Sequence, residues 1–120
     1  MTNLHTLKRP SEQTPNLYET ENVKSYEEYI VVAHYFLPAT HVDFYVVEYD
    51  RVNDEFYGWG ETIPHCGELG YTSFRELEKL ELSIPVKEGD AVIGYLPVRV
   101  EFDEYWEPKK LGKVLEERNI

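Results

Sequence analysis

Three apolar stretches follow one another closely in this chain: YIVVAHYFL at Tyr29–Leu37, DFYVVEYD at Asp43–Asp50 and EFYGWGET at Glu55–Thr62. The first is rich in β-branched and aromatic residues and stops at Pro38, which marks a strand rather than a helix. In the second, Phe44, Val46 and Glu48 alternate with Tyr45, Val47 and Tyr49, the period of two that puts successive side chains on opposite faces of a sheet. The short connection Pro38–Val42 and the turn Asp50–Asp54, with Asn and Asp where tight turns tolerate them, bring the three runs together as an antiparallel meander. In the third run Gly58 and Gly60 share one face while Tyr57, Trp59 and Glu61 share the other, so a neighbouring element is expected over the bare face.

The remaining elements are shorter. After an expected loop from Ile63 to Tyr71, Ser73 is placed to cap a helix with Glu76 as its third residue, and Phe74, Leu77 and Leu80 fall at helical spacing. Ile84–Val86, Ala91–Leu96 and Val98–Phe102 read as short strands broken by Gly89, Gly94 and Pro97, and Leu111–Arg118 reads as a final helical turn or two. The fold class is therefore α+β: an antiparallel sheet, made of a three-stranded meander plus short C-terminal strands, covered by one principal helix. At 120 residues the chain builds one core and not two. Residues 1–16, with Lys8, Arg9 and two prolines, read as a flexible N-terminal arm dispensable for the core, and residues 17–120 as a single acidic domain.

The net charge is −11. All of it lies between Asp43 and Glu107, where 16 acidic residues face 5 basic ones, while the flanking segments sum to zero. A disordered acidic tail would be poor in aromatics, whereas this chain carries 10 Tyr, 5 Phe and 2 Trp, so the acidic stretch buries enough apolar surface to fold. Direct nucleic-acid binding needs a clustered basic face, and the sequence offers none in the core. Neither a membrane span nor a signal peptide is read, which points to the cytoplasm.

His34, His41, His65 and Cys66 lack the spacing of a metal motif, and no cofactor is expected. Cys66 is the only cysteine, with acidic neighbours that do not favour a thiolate. Carboxylate pairs such as Asp43 with Glu48, or Glu61 with Glu68, are unremarkable among 23 acids, and the chain is not read as an enzyme. Two acidic groups stand out instead. Glu76, Glu78 and Glu81 on one short helix, with Glu68 ahead of it, form a carboxylate row, and Glu101, Asp103, Glu104 and Glu107 surround Tyr105 and Trp106. Exposed rings among acids are the makings of a protein interface.

NLYETE at Asn16–Glu21, FYGWGE at Phe56–Glu61, GELGYTSFRELEKL at Gly67–Leu80 and LPVRVEFDEYWEPKKL at Leu96–Leu111 together resemble an uncharacterised family found on plasmids, conjugative elements and phages near antirestriction genes. Against that family, Ser83–Tyr95 is longer. The resemblance implies an accessory protein of a mobile element and carries over no catalytic residues. The resulting expectation is an anti-CRISPR or antirestriction inhibitor, with CRISPR effectors ahead of restriction enzymes. Its acidic surface would occupy the basic groove of a host nuclease in place of DNA. The partner-binding residues are then Glu68, Glu76, Glu78, Glu81, Glu101, Asp103, Glu104, Tyr105, Trp106 and Glu107. The alternative is an accessory interaction module that uses an aromatic face around Tyr45, Tyr57 and Trp59. A homodimer is left open in either case.

Overall fold

The computed structural model describes residues 6–63 and 66–118. A single 3-10 turn at Tyr26–Glu28 precedes β1 (Ile30–Val31) and β2 (Ala33–Phe36). Next come β3 (Asp43–Asp50), β4 (Glu55–Ile63), β5 (Cys66–Ser73) and helix α1 (Phe74–Lys79). The chain continues through β6 (Glu81–Glu88), β7 (Ala91–Arg99), β8 (Glu101–Phe102) and β9 (Lys109–Lys110), and ends in α2 (Leu111–Glu117). The main sheet is antiparallel with the order β5-β4-β3-β2-β8; β1 pairs with β9, and β6 pairs with β7 as a separate hairpin. Among the described residues no helix is long and apolar enough to cross a membrane.

The expected meander is present, with β3 spanning the anticipated residues. Its regular alternation, however, breaks at Val47, where the pairing with β4 shifts between Val46 and Glu48. A bulge adds one residue to one strand, so everything beyond it changes face. Tyr49 consequently joins Phe44 and Val46 against the core that holds Phe56, Phe74 and Leu77. Glu48 turns the other way, is 4% exposed, and accepts hydrogen bonds from the backbone N–H groups of Tyr18 (3.0 Å) and Thr20 (2.9 Å) and from the Thr20 hydroxyl.

Each face of the sheet carries its own helix. Helix α1 inserts Phe74 and Leu77 against Tyr35, Phe44 and Phe56, and Ser73 caps it by accepting the Glu76 N–H at 3.4 Å, as the sequence anticipates. On the opposite face α2 packs Leu111, Val114 and Leu115 against Val31 and Tyr45. The expected single covering helix is thus one of two short ones, because both faces of β3 are apolar and neither can be left to water.

Two further expectations are corrected. Ile63–Tyr71, read as a loop, is mostly the strand β5, which pairs with β4 from Ile63↔Cys66 to Glu55↔Ser73. Its glycines depress intrinsic strand propensity, yet Gly67 is required there: a Cβ at that position would lie 2.2 Å from Trp59 Nε1. The short strands around Gly89, Gly94 and Pro97 are one long hairpin, with Gly89 in its turn at φ +60°. The expected element over the glycines of β4 is replaced by the neighbouring strand β3: a Cβ at Gly58 would stand 1.9 Å from the Tyr45 carbonyl oxygen, and one at Gly60 would lie 3.4 Å from the Phe44 ring.

The arm is not loose over its described part. Leu7 is 4% exposed within the α1-side core, and its N–H donates to Glu78 at 2.8 Å. Arg9 lies over the Phe74 ring and donates to Asp54 (2.7 and 2.8 Å) and to Glu78 (2.9 Å). The Tyr35 hydroxyl donates to the Lys8 carbonyl at 2.5 Å, and Arg51 donates to the carbonyls of Glu12 and Thr14. Leu7 fills an apolar gap beside α1 on the β2-β3-β4 face, and Arg9 supplies the cation that Asp54 and Glu78 face there.

Three outcomes follow. Leu7→Ala lowers stability by about 2–4 kcal/mol through the cavity it leaves, read by denaturant unfolding. Gly58→Ala costs about 3 kcal/mol or more, since backbone and not a side chain blocks the methyl group. Arg9 holds the carboxyls of Asp54 and Glu78 below their ordinary range. Groups depressed in the folded state contribute stability that is present above their ordinary values and is lost as pH falls through the folded ones. Arg9→Met therefore destabilises by about 1–2 kcal/mol at pH 7, discounted for partial exposure, and the gap from wild type closes as pH falls below the ordinary carboxylate range, read in thermal melts.

Candidate protein-binding surface

The rim of the sheet at β8 is built by short-range hydrogen bonding. Val100 is fully buried and Phe102 pairs with Tyr35, which fixes the start of the segment. The Asp103 N–H then donates to the His34 carbonyl (2.9 Å), and the Asp103 carboxylate accepts the Tyr105 N–H (3.0 Å), so the chain turns tightly. That turn sends two adjacent rings in different directions. Trp106 goes inward: its Nε1 donates to the Val31 carbonyl at 3.0 Å, its ring lies 5.1 Å from His34, and Lys109 Nζ sits 4.7 Å above it. Tyr105 goes outward and is 94% exposed.

Behind the rim lies a polar network. His34 Nδ1 meets Asp103 at 2.9 Å and Nε2 meets Asp43 at 2.7 Å, while the imidazole stacks on Tyr45 with centroids 4.8 Å apart. Arg118, just past α2, closes the far side by pairing with Asp43 (3.0 Å) and Glu61 (3.1 Å). Both ring nitrogens face carboxylate oxygens, so both contacts are met together when both nitrogens carry hydrogen. The network ties β2, β3, β4, the β8 turn and the C-terminal helix together. Asp43 and Glu61 belong to this network, whereas Glu48 accepts from the backbone N–H groups of Tyr18 and Thr20.

The ten anticipated contact residues fall into distinct situations. Glu78 is committed to Arg9 and the Leu7 N–H, and Asp103 to His34 and the turn. Glu81 pairs with Arg99 at 2.7 Å, and Glu104 reaches Lys8 at 3.4 Å across a solvent-exposed gap. Glu68, Glu76, Glu101 and Glu107 are exposed, and no ion pair engages them among the described residues. Trp106 closes the core edge, leaving Tyr105 as the free ring. Glu101, Glu104, Tyr105 and Glu107 share the β8 rim, whereas Glu68 sits on β5 at the opposite edge, about 19 Å away at 4.8 Å per strand. The two acidic groups read in the sequence therefore do not share one edge of the sheet, Glu68 lying on β5 and the second group at β8.

Of the aromatic face around Tyr45, Tyr57 and Trp59, Tyr45 is 3% exposed beneath α2, whereas Tyr57 and Trp59 are half-buried; Trp59 stacks on Tyr26, and Tyr57 meets Tyr29 and Tyr71. His65 lies outside the described residues, and within them no three His, Cys, Asp or Glu side chains are grouped to hold a metal ion.

His34→Leu leaves two carboxylates facing an aliphatic side chain and costs about 2–4 kcal/mol in urea unfolding, while Glu107→Gln on the same rim stays within about 0.5 kcal/mol of wild type. Compared with family models, with curated proteins and with solved structures, the chain matches none.

Proposed function

We propose that this protein is a non-enzymatic inhibitor carried by a mobile element. It acts in the cytoplasm of a bacterial host by binding the basic groove of a defence nuclease, a CRISPR effector ahead of a restriction enzyme. The observation that carries the reading is the β8 rim. Glu101 and Glu107, which no ion pair engages among the described residues, flank a Tyr105 that is 94% exposed, on a chain whose net charge is −11. Carboxylates held on a rigid sheet edge give long-range steering toward a cationic groove, and an outward aromatic gives a short-range anchor once contact is made. Glu104 adds to the rim, since an exposed pair with Lys8 is easily exchanged for a partner's cation. Glu68 and Glu76 lie elsewhere on the surface and contribute to the field rather than to the contact. The sequence resemblance supplies the mobile-element setting.

The reading is tested by capturing purified nucleases of the CRISPR and restriction classes on tagged protein, then challenging the complex with duplex DNA and with salt. Binding at low salt that excess DNA displaces is the expected result. Glu101→Lys with Glu107→Lys weakens capture roughly 10- to 100-fold at ~50 mM salt and far less at ~500 mM, where the field is screened. Tyr105→Ala weakens it at both. Capture that neither DNA nor the double reversal affects overturns charge mimicry.

A further inference from the structure

We infer that the outer edge of β5 takes up an extended basic segment of a partner protein as a further strand of the main sheet, with one arginine side chain laid across a glycine-floored trench beside Glu68. The five-stranded sheet ends at β8 on one side, only two residues long, and at β5 on the other, which pairs with β4 along all eight residues of Cys66–Ser73. In an antiparallel pair each strand turns the N–H and C=O groups of every second residue away from its partner. Among the described residues, nothing bonds to the outward backbone groups of residues 66–72. Long edges are commonly blunted by proline or lysine; β5 contains neither, and its register shift against β4 lies at the turn end, between Glu61 and Ile63. A free edge of this kind is a template for an added strand.

Beside that edge, on the α1-side face, Gly58 lies opposite Gly70 and Gly60 opposite Glu68, so three of four neighbouring positions have no side chain. They floor a trench of about 170 Å³, lined also by Phe44, Thr62 and Thr72. Strand β3 crowds Gly58 and Gly60, but nothing stands within 4 Å of a Cβ at Gly70, and its backbone is not left-handed. Glycine weakens a strand, and where no neighbour demands it, what it provides is room for another chain to come close. The trench fixes the chemistry of that chain. Its volume is near the ~150 Å³ that accepts a benzene-sized group, so it holds the end of one side chain. Glu68 is its one charged group, is exposed, and has no ion pair or hydrogen bond among the described residues. The occupant therefore brings positive charge and N–H donors on a flat group that packs beside the Phe44 ring, which is a guanidinium. An arginine opposite Gly70 on the added strand crosses the bare position to Glu68 within the ~7–8 Å of diagonal cross-strand neighbours. A second copy does not supply this group: β5 carries Glu68 and no cation, and pairing it with itself brings two bodies of net charge −11 edge to edge. Glu68 takes no part in the rim contact, and the site, on the opposite edge from β8, stands apart from the nuclease reading.

The probe is the blocked peptide acetyl-Thr-Val-Arg-Val-Thr-amide, titrated into the isotope-labelled full chain at ~150 mM salt and followed through the backbone amide resonances. Shifts along β5 and at Gly58 and Gly60 are expected, with a dissociation constant on the order of 0.1–1 mM. Replacing the arginine of the peptide by glutamate weakens binding at least ~10-fold. Replacing both valines by proline, which keeps the charge and removes two N–H groups, does the same. Gly70→Val fills the trench without meeting a neighbour, so it leaves the melting temperature unchanged or higher and lowers peptide affinity at least ~10-fold. Glu68→Gln lowers it roughly 5- to 10-fold. An absence of shifts at β5 up to ~5 mM peptide overturns the proposal. So does a proline peptide that binds as well as the parent, a folded Gly70→Val chain that binds like wild type, or a β5 edge occupied by a second copy of the chain.

Discussion

The approach of β4 to β3 at Gly58 is the constraint on which the rest of this fold depends. The strand can pass that close only because no Cβ stands between it and the Tyr45 carbonyl oxygen. Immediately beyond, Val47 is left unpaired, and the side chains of β3 exchange faces. Without that exchange Glu48 would point into the α1-side core and Tyr49 away from it. With it, Tyr49 packs edge-on to Phe74, its hydroxyl donates to Asp54 at 2.6 Å, and Glu48 gathers the backbone of residues 18–20. One missing side chain thereby decides where the arm, the first helix and the N-terminal turn dock.

Acidity serves two unlike purposes in this molecule. Asp43, Glu48, Asp54, Glu61 and Glu78 are internal or half-buried and satisfied by Arg9, Arg118, His34 or backbone N–H groups. A buried ion pair contributes little net stability over an apolar alternative, but losing one partner is expensive, so such networks fix which segments meet more than how firmly they hold. The acids at the surface are different: few cations lie near them, and their effect is a field felt beyond the molecule. Net charge alone does not distinguish the two populations; the partners do.

The parts of the fold legible in the sequence were those in which local pattern and tertiary environment agree. Alternation over Asp43–Asp50 marked β3, and Ser73 with Glu76 marked the start of α1. Legibility failed where a long-range contact overrides local preference. Gly67 and Gly70 make β5 look like a loop, because nothing local reveals that the Trp59 ring lies against Gly67 from the neighbouring strand. Gly94 and Pro97 look like strand breakers, although both lie within the paired length of β7. Lys8 and Arg9 made the arm look solvated, because the carboxylates that neutralise Arg9 lie 45 and 69 residues away. On the candidate surface, composition located Tyr105 and its acids. The inward turn of Trp106 depends on a hydrogen bond to Val31 that only the folded chain supplies. The β6–β7 hairpin had a visible signal, aliphatic residues at alternate positions of both strands, hidden by reading each glycine and proline as a stop.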